Sequence, residues 1–236
     1  NVPLVWSLIS PGGDALQGYP QRGLFSVQFD GLNPQTGIPT FVGVNGERNV
    51  TNVYLQDDNI GHLKYEGPTD PLMNGGFFNS FSYKNFSLST LLTFSAGNKI
   101  RLNPAFSANY NDLSSMSNDF VGRWMQPGDE LKTNIPAIAD RFVYSNLGSD
   151  YPYNVYNYSD VRVADGGFIR IKQIMLSYNL PKLISGKIGA NNASVSVVGN
   201  NLGLLYSDKR LNGQDPEFYT SGGVSLPVPR QFTVSL

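Results

Sequence analysis

The chain has 236 residues, of which only 15% are charged while 12% are aromatic, and it carries 25 glycines and 15 prolines; so few charges among so many turn formers and rings point to β structure. No apolar run approaches the roughly 20 residues of a membrane-crossing helix, and 17 basic against 18 acidic side chains leave no basic stripe for nucleic acid. Cys is absent and His62 is the one histidine, so disulfides, thiolate metal sites and nucleophilic triads have almost no material. Neither enzymatic activity, nor a cofactor, nor a bound metal is expected.

The N-terminus, Asn1 to Trp6, has no Met, basic stretch or small-residue cleavage site. It reads as a chain freed of a leader or begun inside a longer one. A first strand is expected where Phe25, Val27 and Phe29 alternate with Ser26 and Gln28, followed by a long segment over 31–70. In that segment His62, after Asp57-Asp58-Asn59, reads as an exposed loop residue, and the carboxylate pair does not match an EF-hand spacing.

The clearest alternation places Phe86, Leu88, Leu92, Phe94 and Ala96 on one face, with Ser87, Ser89, Thr93 and Ser95 on the other. Phe77, Phe81 and Tyr83 alternate just before it, and only Lys84-Asn85 intervenes, which predicts a long hairpin with a tight turn. Residues 98–165 form a very long connection. Within it, Leu113, Met116, Phe120 and Trp124 fall at helical spacing between Asn111 and Glu130, before Pro127-Gly128. A short amphipathic helix is expected there, its stripe packed on the loop itself or on a partner.

Tyr144, Tyr151, Tyr153, Tyr156 and Tyr158 follow as an aromatic run suited to a partner interface, to stacking on a sugar or peptide, or to an aromatic girdle. The next strand, Phe168 to Asn179, starts with Ile169 and Ile171 on one parity and continues with Ile174, Leu176 and Tyr178 on the other, which predicts a bulge. A moderate turn over 180–191, a strand around Val195 and Val197, a long loop over 207–223 and a last strand with Phe232, Val234 and Leu236 complete the series. In the long loop, Gly213-Gln214-Asp215-Pro216-Glu217 is turn chemistry that shapes the loop, with Asp215 and Glu217 as candidate substrate contacts.

The connections alternate between long and short, so the two classes sit at opposite ends of about six strands. An outer-membrane barrel has this asymmetry, with short periplasmic turns and long extracellular loops. Strands of about 11–13 residues tilted near 45° project roughly 25–30 Å, close to the hydrocarbon thickness. A soluble β-sandwich also alternates, but its strands are shorter, and Ser- and Thr-rich faces suit a wet lumen better than a packed second sheet.

The same segments resemble the SusC/RagA-like TonB-dependent transporters of Bacteroidetes outer membranes. The resemblance is carried by Asp30-Gly31-Leu32-Asn33-Pro34, by Gly75-Gly76-Phe77 through Leu88, and by Arg123-Trp124-Met125-Gln126-Pro127-Gly128-Asp129. It continues through Asp165-Gly166-Gly167-Phe168-Ile169-Arg170, Leu176-Ser177-Tyr178-Asn179-Leu180-Pro181, Asn200-Asn201-Leu202, Gly213 to Glu217, and Pro227-Val228-Pro229-Arg230. It implies an all-β fold: an antiparallel transmembrane β-barrel segment, about six strands of a barrel of about 22, with residues 1–236 as one C-terminal segment and no plug domain. It also implies the remaining strands and plug, a SusD-like surface lipoprotein, TonB and membrane lipid as partners, in a dimer of transporter–lid pairs that imports oligosaccharides or oligopeptides. Trp124, Tyr151, Tyr153, Tyr156, Tyr158, Asp215 and Glu217 are the candidate partner or substrate contacts. A passive pore or adhesin barrel of the same membrane, and a secreted glycan-binding sandwich, are the alternatives.

Overall fold

The computed structural model describes residues 4–105, 118–138, 145–147, 151–219 and 228–236. The chain divides into two compact units, one of residues up to Asp70 with Lys99–Ala164, the other of Pro71–Asn98 with Asp165–Leu236.

The second unit is a five-stranded antiparallel sheet. Its strands are β5 (Met73–Tyr83), β6 (Phe86–Ala96), β9 (Phe168–Asn179), β10 (Ser194–Tyr206) and β11 (Gln231–Ser235), in the order β11-β10-β9-β6-β5. The hairpin expected around Lys84-Asn85 is present. Tyr83 pairs with Phe86, and the two-residue turn closes with Lys84 at φ +54°, the left-handed backbone that tight hairpin turns require. The expected bulge is present too. Ile171 pairs with Leu92 and Gln173 with Leu91, which leaves Lys172 as the extra residue and moves the apolar set of β9 from one parity to the other without leaving its face.

In two adjoining rows register aligns like with like. Phe81, Leu88, Leu176, Val197 and Val234 stand in one row across all five strands, and Ser82, Ser87, Ser177, Ser196 and Ser235 form the neighbouring row on the opposite face. On the apolar face the aromatic and aliphatic side chains are uncovered, with Phe81 62% and Val234 72% exposed. Within this unit the described residues provide no core on the apolar side, and an apolar face of this extent calls for a cover.

The first unit is built from what the sequence presents as long connections. It holds α1 (Val5–Ile9), β1 (Gly23–Val27), β2 (Phe29–Leu32), β3 (Pro39–Phe41), β4 (Leu63–Pro68), β7 (Lys99–Arg101), α2 (Pro152–Asn157) and most of β8 (Val163–Asp165). These form three small sheets, β1 with β4, β2 with β3 and β7 with β8. The segment expected as a first barrel strand is therefore a correction: β1 forms, but it pairs with β4 and is buried at every residue, so both its faces are core. Val5, Ile9, Val27, Phe41, Phe120, Tyr153 and Tyr156 share that core.

Arg101 ties this unit together. It is 4% exposed, and its guanidinium donates to the carbonyls of Ile9 (3.2 Å), Ser159 (2.9 Å) and Phe25 (2.5 Å) and to Ser26 Oγ (3.2 Å). Burial pulls its pKa down to about 10, so it remains a cation and all its donors stay available. Ser26, polar by the strand's alternation, is there to meet Arg101. Replacing Arg101 by Met keeps the stem's volume and strands three buried carbonyls, so thermal unfolding of the purified protein should show a loss of roughly 2–4 kcal/mol.

Candidate functional site

The polar face of the large sheet is the first element of the site. Ser80 and Ser89 hydroxyls lie 3.2 Å apart, Ser82 and Ser87 3.0 Å, and Gln173 Nε2 donates to Asn200 Oδ1 at 3.0 Å. Such a face offers many neutral donors and acceptors, so it wets readily and holds polar surfaces without a fixed charge.

Arg170 brings charge to this face on β9. Its Nη2 lies 2.5 and 2.6 Å from the two carboxylate oxygens of Asp215 and 3.2 Å from Glu217 Oε2. The Arg170 and Asp215 side chains are 5% and 9% exposed, while that of Glu217 is 46% exposed. Asp215 Oδ1 also accepts the Glu217 N–H at 3.1 Å, which shapes the turn around Pro216. The two candidates thus differ in what they offer: Asp215 is spent on the connection between β10 and β11, and Glu217, though paired with Arg170, keeps about half its side chain in solvent. A cavity of about 550 Å³ opens here, lined among others by Arg170, Asn201, Gln214, Tyr219 and Arg230.

Beside this anchor a second carboxylate organises the start of the same connection. Asp208 accepts the Asp165 N–H at 2.8 Å and pairs with Arg210 at 2.8 Å. Partial burial opposes its charge, but the hydrogen bonds from Arg210 and from the Asp165 backbone outweigh it and hold the carboxyl at about 2. Gly166 is needed next door, because a Cβ there would collide with the Asn98 amide.

The aromatic candidates lie in the first unit, and most are turned inward. Tyr153 and Tyr156 are each 1% exposed and sit in the core; burial pushes the Tyr156 phenol up to about 12, with the Arg162 guanidinium working against that rise. Tyr158 is half-buried with its ring 5.0 Å from that of Trp6 and the Arg101 guanidinium 5.9 Å away. Tyr151 is the one of these that faces solvent, while Tyr144 lies outside the described residues.

The expected amphipathic helix is corrected in its described part. Asn118–Gly122 is a 3₁₀ turn, and Trp124 follows it outside any helix; residues 111–117, with Leu113 and Met116, lie outside the described residues. Trp124 is buried, its indole N–H donating to Glu130 Oε2 at 3.1 Å, and it seats against Gly37, where any Cβ would strike the indole. With Phe120 and Trp124 inside, the same stretch turns Val121, Met125 and Leu131 outward. The helical period hid these three, because a 3₁₀ turn and an irregular segment present different residues from an α-helix. His62, expected at the surface, is buried; burial lowers its pKa, and the Asp57 carboxylate only partly opposes that.

An Asp215→Asn variant should release the start of the connection over 207–219, seen as limited proteolysis there accelerating on the order of tenfold. The swap Arg170→Asp with Asp215→Arg should restore part of the protection, which loss of either charge alone cannot do.

No family model matches the chain. TonB-dependent receptor P26 of Formosa agariphila is 31% identical over an alignment of 177 positions that covers 68% of this chain and 16% of that protein. TonB-dependent receptor P3 of the same organism is 29% identical over 154 residues, 65% of this chain and 14% of its own. Among solved structures, the RagAB peptide transporter superposes on 87% of the chain with a TM-score of 0.60 at 22% identity, using 20% of the matched chain. The RagAB peptide importer in its closed-closed state gives a TM-score of 0.57 at 21% identity, over 87% of this chain and 21% of that one. The chain thus spans about a sixth of the curated relatives' length, 16% and 14%. It belongs to the TonB-dependent receptors of the bacterial outer membrane.

Proposed function

We propose that the chain supplies one section of the barrel wall, with its long connections, in a TonB-dependent importer of oligopeptides or oligosaccharides that works with a SusD-like lipoprotein. The observation that carries the reading is the two-faced register of the large sheet: an uncovered, mainly apolar face in line with lipid, and a face rich in Ser and Thr in line with a hydrated lumen or a plug. An 11-residue strand such as β5 at about 3.3 Å per residue and a tilt near 45° rises about 25 Å, the height of an outer-membrane apolar band. The outer strands β5 and β11 each have one partner in this sheet, and the rest of the barrel supplies the other.

Peptide is the favoured cargo, because the solved neighbours are a peptide transporter and importer. The exposed Val121, Met125 and Leu131, with Tyr151, are the surface offered to the lipoprotein; their apolar area is what an interface core uses. Arg170 and Asp215 act by holding the β10–β11 connection in place beside the polar face, and the exposed Glu217 is the member of that cluster left to meet cargo.

Two measurements test this. In refolding of the full-length protein into bilayers, Leu88→Arg should cost roughly 2–4 kcal/mol and Ser89→Arg far less; equal costs would overturn the assigned faces. In whole cells, uptake of a labelled oligopeptide mixture should require both this protein and TonB. Uptake that survives loss of TonB would instead favour a passive pore.

A further inference from the structure

The connection between β9 and β10 does more than join two neighbours. Two residues suffice for that, as Lys84-Asn85 shows at the same end of the sheet. Here 180–193 builds a helical turn, α3 (Lys182–Ser185), continued by a 3₁₀ turn over Gly186–Ile188. It is an ordered element. Leu180 donates to the Ala193 carbonyl at 2.8 Å, Ala190 to the Ser185 carbonyl at 3.0 Å, and Ser185 is 1% exposed. Yet Leu183 is 79% exposed and Ile184 46%, with Lys182 and Lys187 both in solvent.

The charge around this turn is one-sided. No Asp or Glu occurs between Pro71 and Asn98, or between Gly166 and Ser207. Lys84 stands on the adjoining hairpin turn, which is joined to the end of β9 by the Asn179 N–H on the Asn85 carbonyl at 2.8 Å. The carboxylates of this unit, Asp165, Asp208, Asp215 and Glu217, belong to the long connections at the other end. On the apolar face the last row before the turns is Tyr83, Phe86 and Tyr178, with the Phe86 and Tyr178 rings 4.5 Å apart.

We propose that 180–193 is an interfacial anchor that binds anionic phospholipid in the leaflet on the side of the short connections. Leu183 and Ile184 enter the acyl boundary just beyond the aromatic row, and Lys182, Lys187 and Lys84 reach the headgroup phosphates. Apolar side chains flanked by lysines, with no Asp or Glu side chain in the adjoining strands and turns, are what a helical turn lying in the membrane plane presents. Lysine stems cover apolar surface while their ammonium groups meet phosphate. A protein partner here would need acidic groups to match three lysines, whereas the bilayer is already continuous with the apolar face of the sheet. The inference rests on the reading of that face as lipid-facing, so its test carries a separate probe for it.

The full-length transporter, with a single spin label introduced by Leu183→Cys, Ile184→Cys, Asn192→Cys or Leu88→Cys, is reconstituted into vesicles of phosphatidylethanolamine and phosphatidylglycerol. Collisions with oxygen and with a water-soluble nickel chelate are then compared. The oxygen-to-nickel ratio at 183 and 184 should exceed that at 192 severalfold. Replacing Lys182 and Lys187 by Gln should lower it in these vesicles and leave it unchanged in phosphatidylcholine alone. A label at 183 as open to nickel as that at 192, or closed to both reagents as a protein contact would make it, overturns the anchor; so does an equal effect of the lysine changes in both lipids. A lipid signal at 88 with water at 183 removes the anchor alone, whereas water at 88 removes the barrel-wall reading itself.

Discussion

Cross-strand register is the constraint on which the sheet's chemistry depends. A slip of one residue in any strand would send Leu88 or Leu176 to the serine face and a serine to the apolar face, since side chains alternate with a period of two. Two local devices hold it. The Lys84-Asn85 turn pairs β5 with β6 over all eleven residues, and the extra residue at Lys172 absorbs a parity change that would otherwise split the apolar set of β9 between faces. The turn is set by consecutive residues, whereas the bulge is completed only when β9 pairs with β6.

The first unit solves a different problem. Its segments are short and irregular and cannot satisfy their own backbone by long ladders, so a buried cation does it for them: Arg101 reaches carbonyls on three separate stretches of chain. A guanidinium suits that task because its donors are fixed in a plane and stay protonated even where burial opposes the charge. Arg162 repeats the device on a smaller scale, bridging Asp119 at 2.8 Å and the Asn103 carbonyl at 2.7 Å. Loops that carry such a core can present a defined surface, which free loops cannot.

The two units differ in what they expose. The sheet offers two contrasting faces, one mainly apolar and one rich in hydroxyls, with Phe78, Leu91, Met175 and Val198 standing among the hydroxyls. Side chains able to discriminate, such as the exposed Tyr151 and Glu217 and the apolar Val121, Met125 and Leu131, all sit on the connections. Anchors such as Arg170–Asp215 and Asp208–Arg210 hold the β10–β11 connection in position at the polar end, while the lysines gather where the chain turns tightly.

The hairpin, the bulge at Lys172 and the two faces of β5, β6 and β9 were determined by the sequence alone, because a period of two and a tight turn are written in neighbouring residues. The family likeness was legible for a similar reason, in short ordered motifs along most of the chain. Only the tertiary structure decided that β1 joins a small buried sheet, that Tyr153, Tyr156, Trp124 and His62 turn inward, and that Val121, Met125 and Leu131 turn out. In irregular segments no period links a residue to its environment. Burial there is set by contacts between stretches tens of residues apart, as Gly37 with Trp124 and Arg101 with Ile9 show.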